Sequence, residues 1–446
     1  MRSIRRASRV ARFPLTCAAL AVVGTAMPVH AQEATLPRLG SIATPTLEPG
    51  LELDVARRHR PEFDPVGLTL GGWRLLPNVT VGVGADSNPF GVETRREGDA
   101  FVQAEPAISA QNVWSRGEIR LDASGRFARY IDKRQANETS YRVAGYGRYE
   151  IGGDTGVEGG GEFAQLIERR DSSGFPDGRV APVRYFQTQG WLRGRYGAGR
   201  LRALGQVDYT RFDFRDTDAL DADARPIGRI DQDVRDSHSW RGTLRGEYEL
   251  GPDIAAFAQV VRSSIDYRFA LIAPGVPNLT GASTTVLGGV AFGANRLVQG
   301  SIGLGYVRRS YDAAAIRRID GLAINADVRY FFTPRVTLSA AASRTVEEAV
   351  LQDASGYVST AASVRADYEL LRPLILNAGI GYRHNDFRAN PRRDRVWEAS
   401  AGARYSLNRR WALEGDISYL DRSVRNDPFS PSFGQVRIFV RTRFSL

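Results

Sequence analysis

The chain has 446 residues, with 60 Lys and Arg against 50 Asp and Glu, 46 Gly, 17 Tyr, 20 Phe and one Cys. A formal charge of +10 with no continuous basic run beyond the amino end argues against nucleic acid, and one Cys excludes a disulfide framework or a cysteine-based zinc site. No apolar stretch reaches 18 residues, so no membrane-spanning helix is expected.

In chain order, Arg2, Arg5, Arg6, Arg9 and Arg12 precede Pro14 to Met27, an apolar run too short to cross a bilayer. Val29-His30-Ala31 follows as a small-x-small cleavage site, so residues 1–31 read as a signal peptide and the mature chain as starting near Gln32. Cys17 lies inside that signal, and Pro14-Leu15-Thr16 before it is not a lipobox. Losing those five arginines and no acids lowers the formal charge from +10 to +5. Residues 32–72 hold Pro37, Pro45, Pro49, Pro61 and Pro65 without sustained periodicity. They read as a periplasmic leader, partly disordered, with one helical turn around Leu51 to Arg60, and too short for a plug domain.

From Trp73 to Leu446, segments of about ten to fifteen residues alternate in hydrophobicity with a period of two. Short turns such as Gly152-Gly153-Asp154, Gly251-Pro252-Asp253, Gly293-Ala294-Asn295 and Leu371-Arg372-Pro373 take turns with long polar connections. The long ones include Ser87 to Asp99, Arg169 to Val183, Arg215 to Asp236 and Arg425 to Phe433. This pattern predicts an all-β fold, a transmembrane antiparallel up-and-down β-barrel of about 18 strands, or 16 if two weak segments are loops. Tyr149, Tyr196, Tyr248, Tyr330, Tyr368 and Tyr405 recur just before short turns, and Trp114 and Trp411 are expected just after one. That phase predicts an aromatic girdle at the periplasmic rim.

Strand parity assigns the water-filled face. It predicts inward Arg116, Glu118, Arg120 and Arg126, then Arg142 and Arg148, Arg193 and Arg195, Arg241 and Arg245, Arg329, Arg365 and Arg404. Accompanying acids include Asp122, Glu150, Glu247, Glu249, Asp327, Asp367, Glu369, Glu398, Glu414 and Asp416. In the last strand Arg437, Arg441 and Arg443 oppose Val436, Ile438, Val440, Thr442, Phe444 and Leu446. An arginine excess is therefore expected on the lumen wall, favouring anionic or heavily hydroxylated solutes and chloride over potassium. The plain alternative is cross-strand ion pairing of the kind any wet barrel carries. This strand also resembles the terminal strand by which outer-membrane barrels are recognised by their assembly machinery, with Leu446 where Phe is usual.

Chemistry is sparse. Asp236-Ser237-His238 is the one Asp-x-His, His384 has no neighbouring Ser, and His59 sits in the leader. The seven aspartates between Arg215 and Asp236 match no calcium-loop spacing. No catalytic residue, cofactor or metal site is expected.

Arg60-Pro61-Glu62-Phe63-Asp64-Pro65-Val66-Gly67, then Gly71-Gly72-Trp73-Arg74-Leu75-Leu76-Pro77, lead to Gly84-Ala85-Asp86-Ser87-Asn88-Pro89-Phe90. This stretch of about thirty residues resembles the start of a family of β-barrel outer-membrane porins associated with exopolysaccharide biosynthesis and export loci in Gram-negative bacteria. The resemblance implies a non-enzymatic outer-membrane channel, serving secretion of an extracellular polysaccharide. Lipid, lipopolysaccharide and polysaccharide-export components would be its partners. A general diffusion porin and a structural barrel acting as adhesin or scaffold are the alternatives.

Overall fold

The computed structural model describes residues 54–176, 178–293, 297–347, 356–427 and 429–446. The signal peptide, the leader as far as residue 53 and residues 294–296 of one short turn lie outside the described residues. Eighteen long strands form the barrel. They are β1 (Trp73–Asp86), β2 (Asp99–Trp114), β3 (Gly117–Tyr130), β4 (Glu138–Gly152), β5 (Thr155–Ile167) and β6 (Arg184–Ala198). Next come β7 (Leu201–Phe214), β8 (Ser237–Gly251), β9 (Ile254–Tyr267), β10 (Gly281–Phe292), β11 (Val298–Tyr311) and β12 (Ile319–Thr333). The last six are β13 (Val336–Glu347), β14 (Tyr357–Leu371), β15 (Leu374–Phe387), β16 (Arg393–Ser406), β17 (Trp411–Arg425) and β18 (Phe433–Ser445). Each pairs antiparallel with its chain neighbour, and β1 closes on β18 from Asn78↔Ser445 to Asp86↔Arg437. Closure removes every free edge, which is what a strand structure needs in lipid. Among the described residues no helix is long and apolar enough to cross a membrane.

The period of two turns the wall inside out relative to a soluble domain. Leu244 is 70% exposed on the outer face, while its neighbour Arg245 is 3% exposed on the inner one. Val83, Ile302, Ile380 and Val440 keep the same outward parity around the circumference. At the closing seam Gly82 and Gly84 face inward. A Cβ on Gly82 would lie 2.4 Å from the Val440 carbonyl, and one on Gly84 2.4 Å from the Phe101 ring. Only glycine lets the inward side chains of β2 and β18 lie over that joint.

Connections alternate as expected, two to five residues at one rim and five to 22 at the other. At the short-turn rim Asp253 adopts φ 64, a left-handed position that Asp tolerates after Pro252. The long connections are not all solvated loops. Residues 215–236 carry a small hairpin, Thr217–Leu220 against Pro226–Ile230. Residues 168–183 are stitched to it through Ala181 N to Asp218 O (3.0 Å) and Leu220 N to Arg179 O (2.9 Å). Phe175, Val180 and Val183 bury against inward Tyr185, Phe212 and Phe214, while Phe90, Leu220 and Ala224 bury against Phe101, Tyr130 and Phe439. These two apolar clusters sit inside the long-loop end of the barrel and fold the loops into its mouth.

Candidate functional site

The lumen is narrowed from its wall by the connection between β5 and β6. After Ile167, residues 168–175 cross from one side of the barrel to the far wall. Arg169 pairs with Asp171 (2.7 Å) on its own loop and reaches Glu398 of β16 (2.5 Å). Asp171 accepts from Arg383 of β15, and Ser173 accepts from Asn385 (2.8 Å). Beside this latch Asp394 receives Arg392 (2.8 Å) and Arg422 (3.1 Å), all three buried. At the loop's root Glu168 holds Arg235 through two bonds of 2.6 and 2.8 Å, with the Arg235 guanidinium 4.0 Å from the centroid of the Phe214 ring. Burial alone would raise the Asp171 carboxyl, but Arg169 and Arg383 outweigh it and hold it well below the ordinary carboxylate range. Burial pushes the Arg170 guanidinium, wedged between Phe90 and Phe175, down to about 10.

Below the loop lies a cavity of about 560 Å³ lined by Arg126, Arg365, Glu398, Asp416, Gln435 and Arg437 among others. The barrel wall carries a ladder of ion pairs, some along one strand and others between neighbouring strands. Arg120 meets Asp122 (3.0 Å), Arg126 lies between Glu105 (4.0 Å) and Glu138 (3.9 Å), and Arg142 meets Glu162 (3.1 Å). Arg148 contacts Glu118 (3.4 Å), Arg193 and Arg195 converge on Glu158 (3.8 and 2.9 Å), and Arg245 pairs with Glu247 (2.6 Å). Arg241 is opposite Asp208 in register, Arg329 is opposite Gln299 and Ser339, and Arg365 pairs with Asp367 (2.8 Å). Arg404, Arg441 and Arg443 all converge on Glu414, at 2.9, 2.7 and 3.4 Å. Arg437 lies 4.5 Å from the Phe101 ring centroid.

Two expectations need correction. Arg116 does not face the lumen; it is exposed in the Ser115-Arg116 turn, because β3 begins only at Gly117. The arginine excess also disappears. Asp86, Glu105, Glu138, Glu158, Glu162, Asp208, Glu347 and Asp394 also face inward, as do Arg202, Arg309, Arg383 and Arg422, and with them the wall's carboxylates are about as numerous as its arginines. Charge is unevenly placed instead. The inner faces of β9 and β10 carry Phe257, Gln259, Val261, Ser263, Thr285 and Leu287 and no charged residue.

Tyr149, Tyr196, Tyr248, Tyr330, Tyr368, Tyr405 and Trp411 all expose their rings on the outer face near the short-turn rim. Trp114 does so too, but it precedes its turn rather than following it. Ser237 and His238 point to opposite faces of β8, so they make no catalytic pair; His238 lies 3.7 Å from Asp266. His384 takes the outer face of β15, and His59 pairs with Asp64. Three of the loop aspartates, Asp216, Asp231 and Asp233, do come together, with Arg229 2.9 Å from Asp216.

The leader's end occupies the other mouth. Asp54 to Arg58 make a turn, and Val55 is fully buried with its N–H on Thr337 Oγ1 of β13 (3.0 Å). Arg60 and Arg58 reach Glu369 of β14 at 2.9 and 3.4 Å, Arg58 also donates to the Pro334 carbonyl, and Arg372 pairs with Glu62 (2.6 Å). The Asp54–Arg58 turn lies within the span where the sequence suggests one helical turn, and its docking on β13 and β14 is a contact that the sequence does not suggest. Leu68–Leu70 then folds back on the start of β1.

Several solved structures share the barrel. The outer membrane protein OpdK of Pseudomonas aeruginosa is 13% identical, with 83% of this chain and 98% of that one covered at a TM-score of 0.42. A ferric enterobactin receptor mutant of the same organism is 8% identical over 83% and 81% of the chains, TM-score 0.42. The copper transporter OprC is 11% identical over 87% and 84%, TM-score 0.47. No curated protein is similar in sequence to this chain. The family profile of Putative beta-barrel porin 2 matches residues 60–444, nearly the whole described barrel with its leader contact, and the chain belongs to that family.

Proposed function

We propose that the protein is an outer-membrane channel for hydrophilic, hydroxyl-rich solutes, and that its cargo is an extracellular polysaccharide in transit to the cell surface. The observation that carries the channel reading is the inner wall. It is lined by ionised groups of both signs already paired with one another, around a cavity narrowed by an inserted loop. A paired wall attracts no one sign of ion strongly, and its planar arginine forks and carboxylates suit sugar hydroxyls. The polysaccharide part rests on the sequence resemblance around Arg60 to Phe90. In this reading the long-loop rim faces outward, the short-turn rim faces the periplasm, and the protein carries out no catalysis.

Planar-bilayer recording of the refolded protein tests this. The expected result is a conducting barrel with weak selectivity between potassium and chloride, and reversible block by neutral oligosaccharides added to either side. A barrel that never conducts, even with the loop latch broken, overturns it in favour of a scaffold.

A further inference from the structure

Trp191 departs from the pattern of the other tryptophans. Trp73 opens β1 at the short-turn rim, Trp114 and Trp411 expose their rings outward at that rim, and Trp240 and Trp397 do so toward the long-loop rim. Those are the interfacial positions at which an amphipathic ring is stable. Trp191 instead lies at mid-height of β6 on the inward parity, between outward Leu192 and two residues before inward Arg193.

Its neighbour explains the placement. Trp191 is opposite Gly160 of β5, and Gly160 is opposite Tyr146 of β4. Rings two strands apart would stand roughly 10 Å from each other, yet these centroids are 6.0 Å apart. Both lean over Gly160, where a Cβ would come within 3.1 Å of Trp191 Nε1 and 2.8 Å of the Gly145 carbonyl. Phe101, Tyr185, Phe212 and Phe257 are inward too, but buried; Tyr146 and Trp191 remain part-exposed to the lumen. Arg120 and Arg193 lie over these rings at 5.5 and 5.4 Å from the centroids, farther off than Arg245 over Phe257 at 3.7 Å, and both rings keep part of their surface open. Around the rings are groups that bond hydroxyls, namely Glu158, Gln189, Gln206 and Arg193, with Arg193 Nε donating to Gln206 at 2.8 Å.

We propose that Tyr146 and Trp191 form a stacking subsite for one pyranose ring of a saccharide in the lumen. The apolar C–H face of the sugar would cover the two rings and displace water from them, while its hydroxyls bond the surrounding planar side chains. The subsite rests on the channel reading and adds to it a neutral sugar ring as the recognised unit. A merely structural account, aromatic rings covering the glycine run Gly159–Gly161, predicts the same packing but no response to ligand.

The test uses refolded full-length protein with maltohexaose and cellohexaose as probes, read by tryptophan emission and by single-channel block. Because the other five tryptophans face the barrel's exterior or rim, an emission shift on adding either hexasaccharide reports Trp191. That shift is expected in the wild type and absent in Trp191→Phe, with Tyr146→Ala weakening binding about tenfold while leaving barrel yield unchanged. No shift with either sugar, or a shift that survives in Trp191→Phe, overturns the subsite. Conductance without any shift overturns the subsite alone; absence of conductance even with the loop latch broken overturns the channel reading and the passage of sugar with it.

Discussion

At the long-loop mouth, residues 168–175 cross the lumen and end in ion pairs with β15 and β16 around the buried Asp171, backed by two apolar clusters. At the short-turn mouth, residues 54–64 are held by Glu369, one backbone bond to Thr337 and the half-exposed Arg372–Glu62 pair. The first closure joins several linked ion pairs around the buried Asp171 to apolar packing; the second has one buried pair, Arg60–Glu369, and no apolar cluster behind it among the described residues. Buried pairs are costly to break from one side, since the partner is left charged and dry, whereas exposed pairs contribute little. The barrel is thus expected to open first at the leader.

The largest effect should come from Asp171→Ala. It removes the buried carboxylate that Arg169 and Arg383 share, costs about 3–5 kcal/mol of loop stability, and should raise single-channel conductance several-fold while the barrel still assembles. A conductance equal to wild type would mean that the loop does not narrow the pathway. Glu369→Gln should weaken the leader by about 1.5–3 kcal/mol, the worth of a hydrogen bond to a charged group. It should lengthen open times without changing the fully open conductance. If it changed conductance more than Asp171→Ala, the ranking of the two mouths would be reversed.

A pH series separates them further. Asp171 has a folded pKa depressed below its unfolded value of about 3.9, so its contribution is fully present above that value and is lost as pH falls toward the folded one. The latch should therefore hold unchanged from pH 8 down to about 5 and release only in stronger acid. Opening between pH 5 and 7 would show that another group controls the loop. The smallest effect is expected of Arg372→Gln: both partners are nearly half exposed, so leader stability should change by less than about 1 kcal/mol, and less still in high salt.

Much of this was legible beforehand. Residues such as Leu244 and Arg245, or Val440 and Arg441, declare opposite faces by alternation alone, and eight recurring rings before or after short turns mark one rim. The latch was not legible. Asp171 and Arg383 are 212 residues apart, and periodicity carries no information about such a pairing. A signal did exist, since Phe90, Phe175, Val180 and Leu220 are too apolar for loops that stay in water. The arginine excess failed for a different reason. Glu158 and Glu162 lie on β5, which carries no arginine, and Asp394 stands between Arg393 and Arg395 on β16, so a parity count led by arginines passes over them.

By itself, then, the sequence determined the β-barrel, the sidedness of each strand, the alternation of turns and the approximate strand number, because these depend on local periodicity and turn chemistry. Only the tertiary structure decided which loop enters the lumen, where the leader docks, how the charges balance and which rings meet over Gly160. Those depend on residues brought together by closure of β1 on β18, and no local pattern encodes the distance across a barrel.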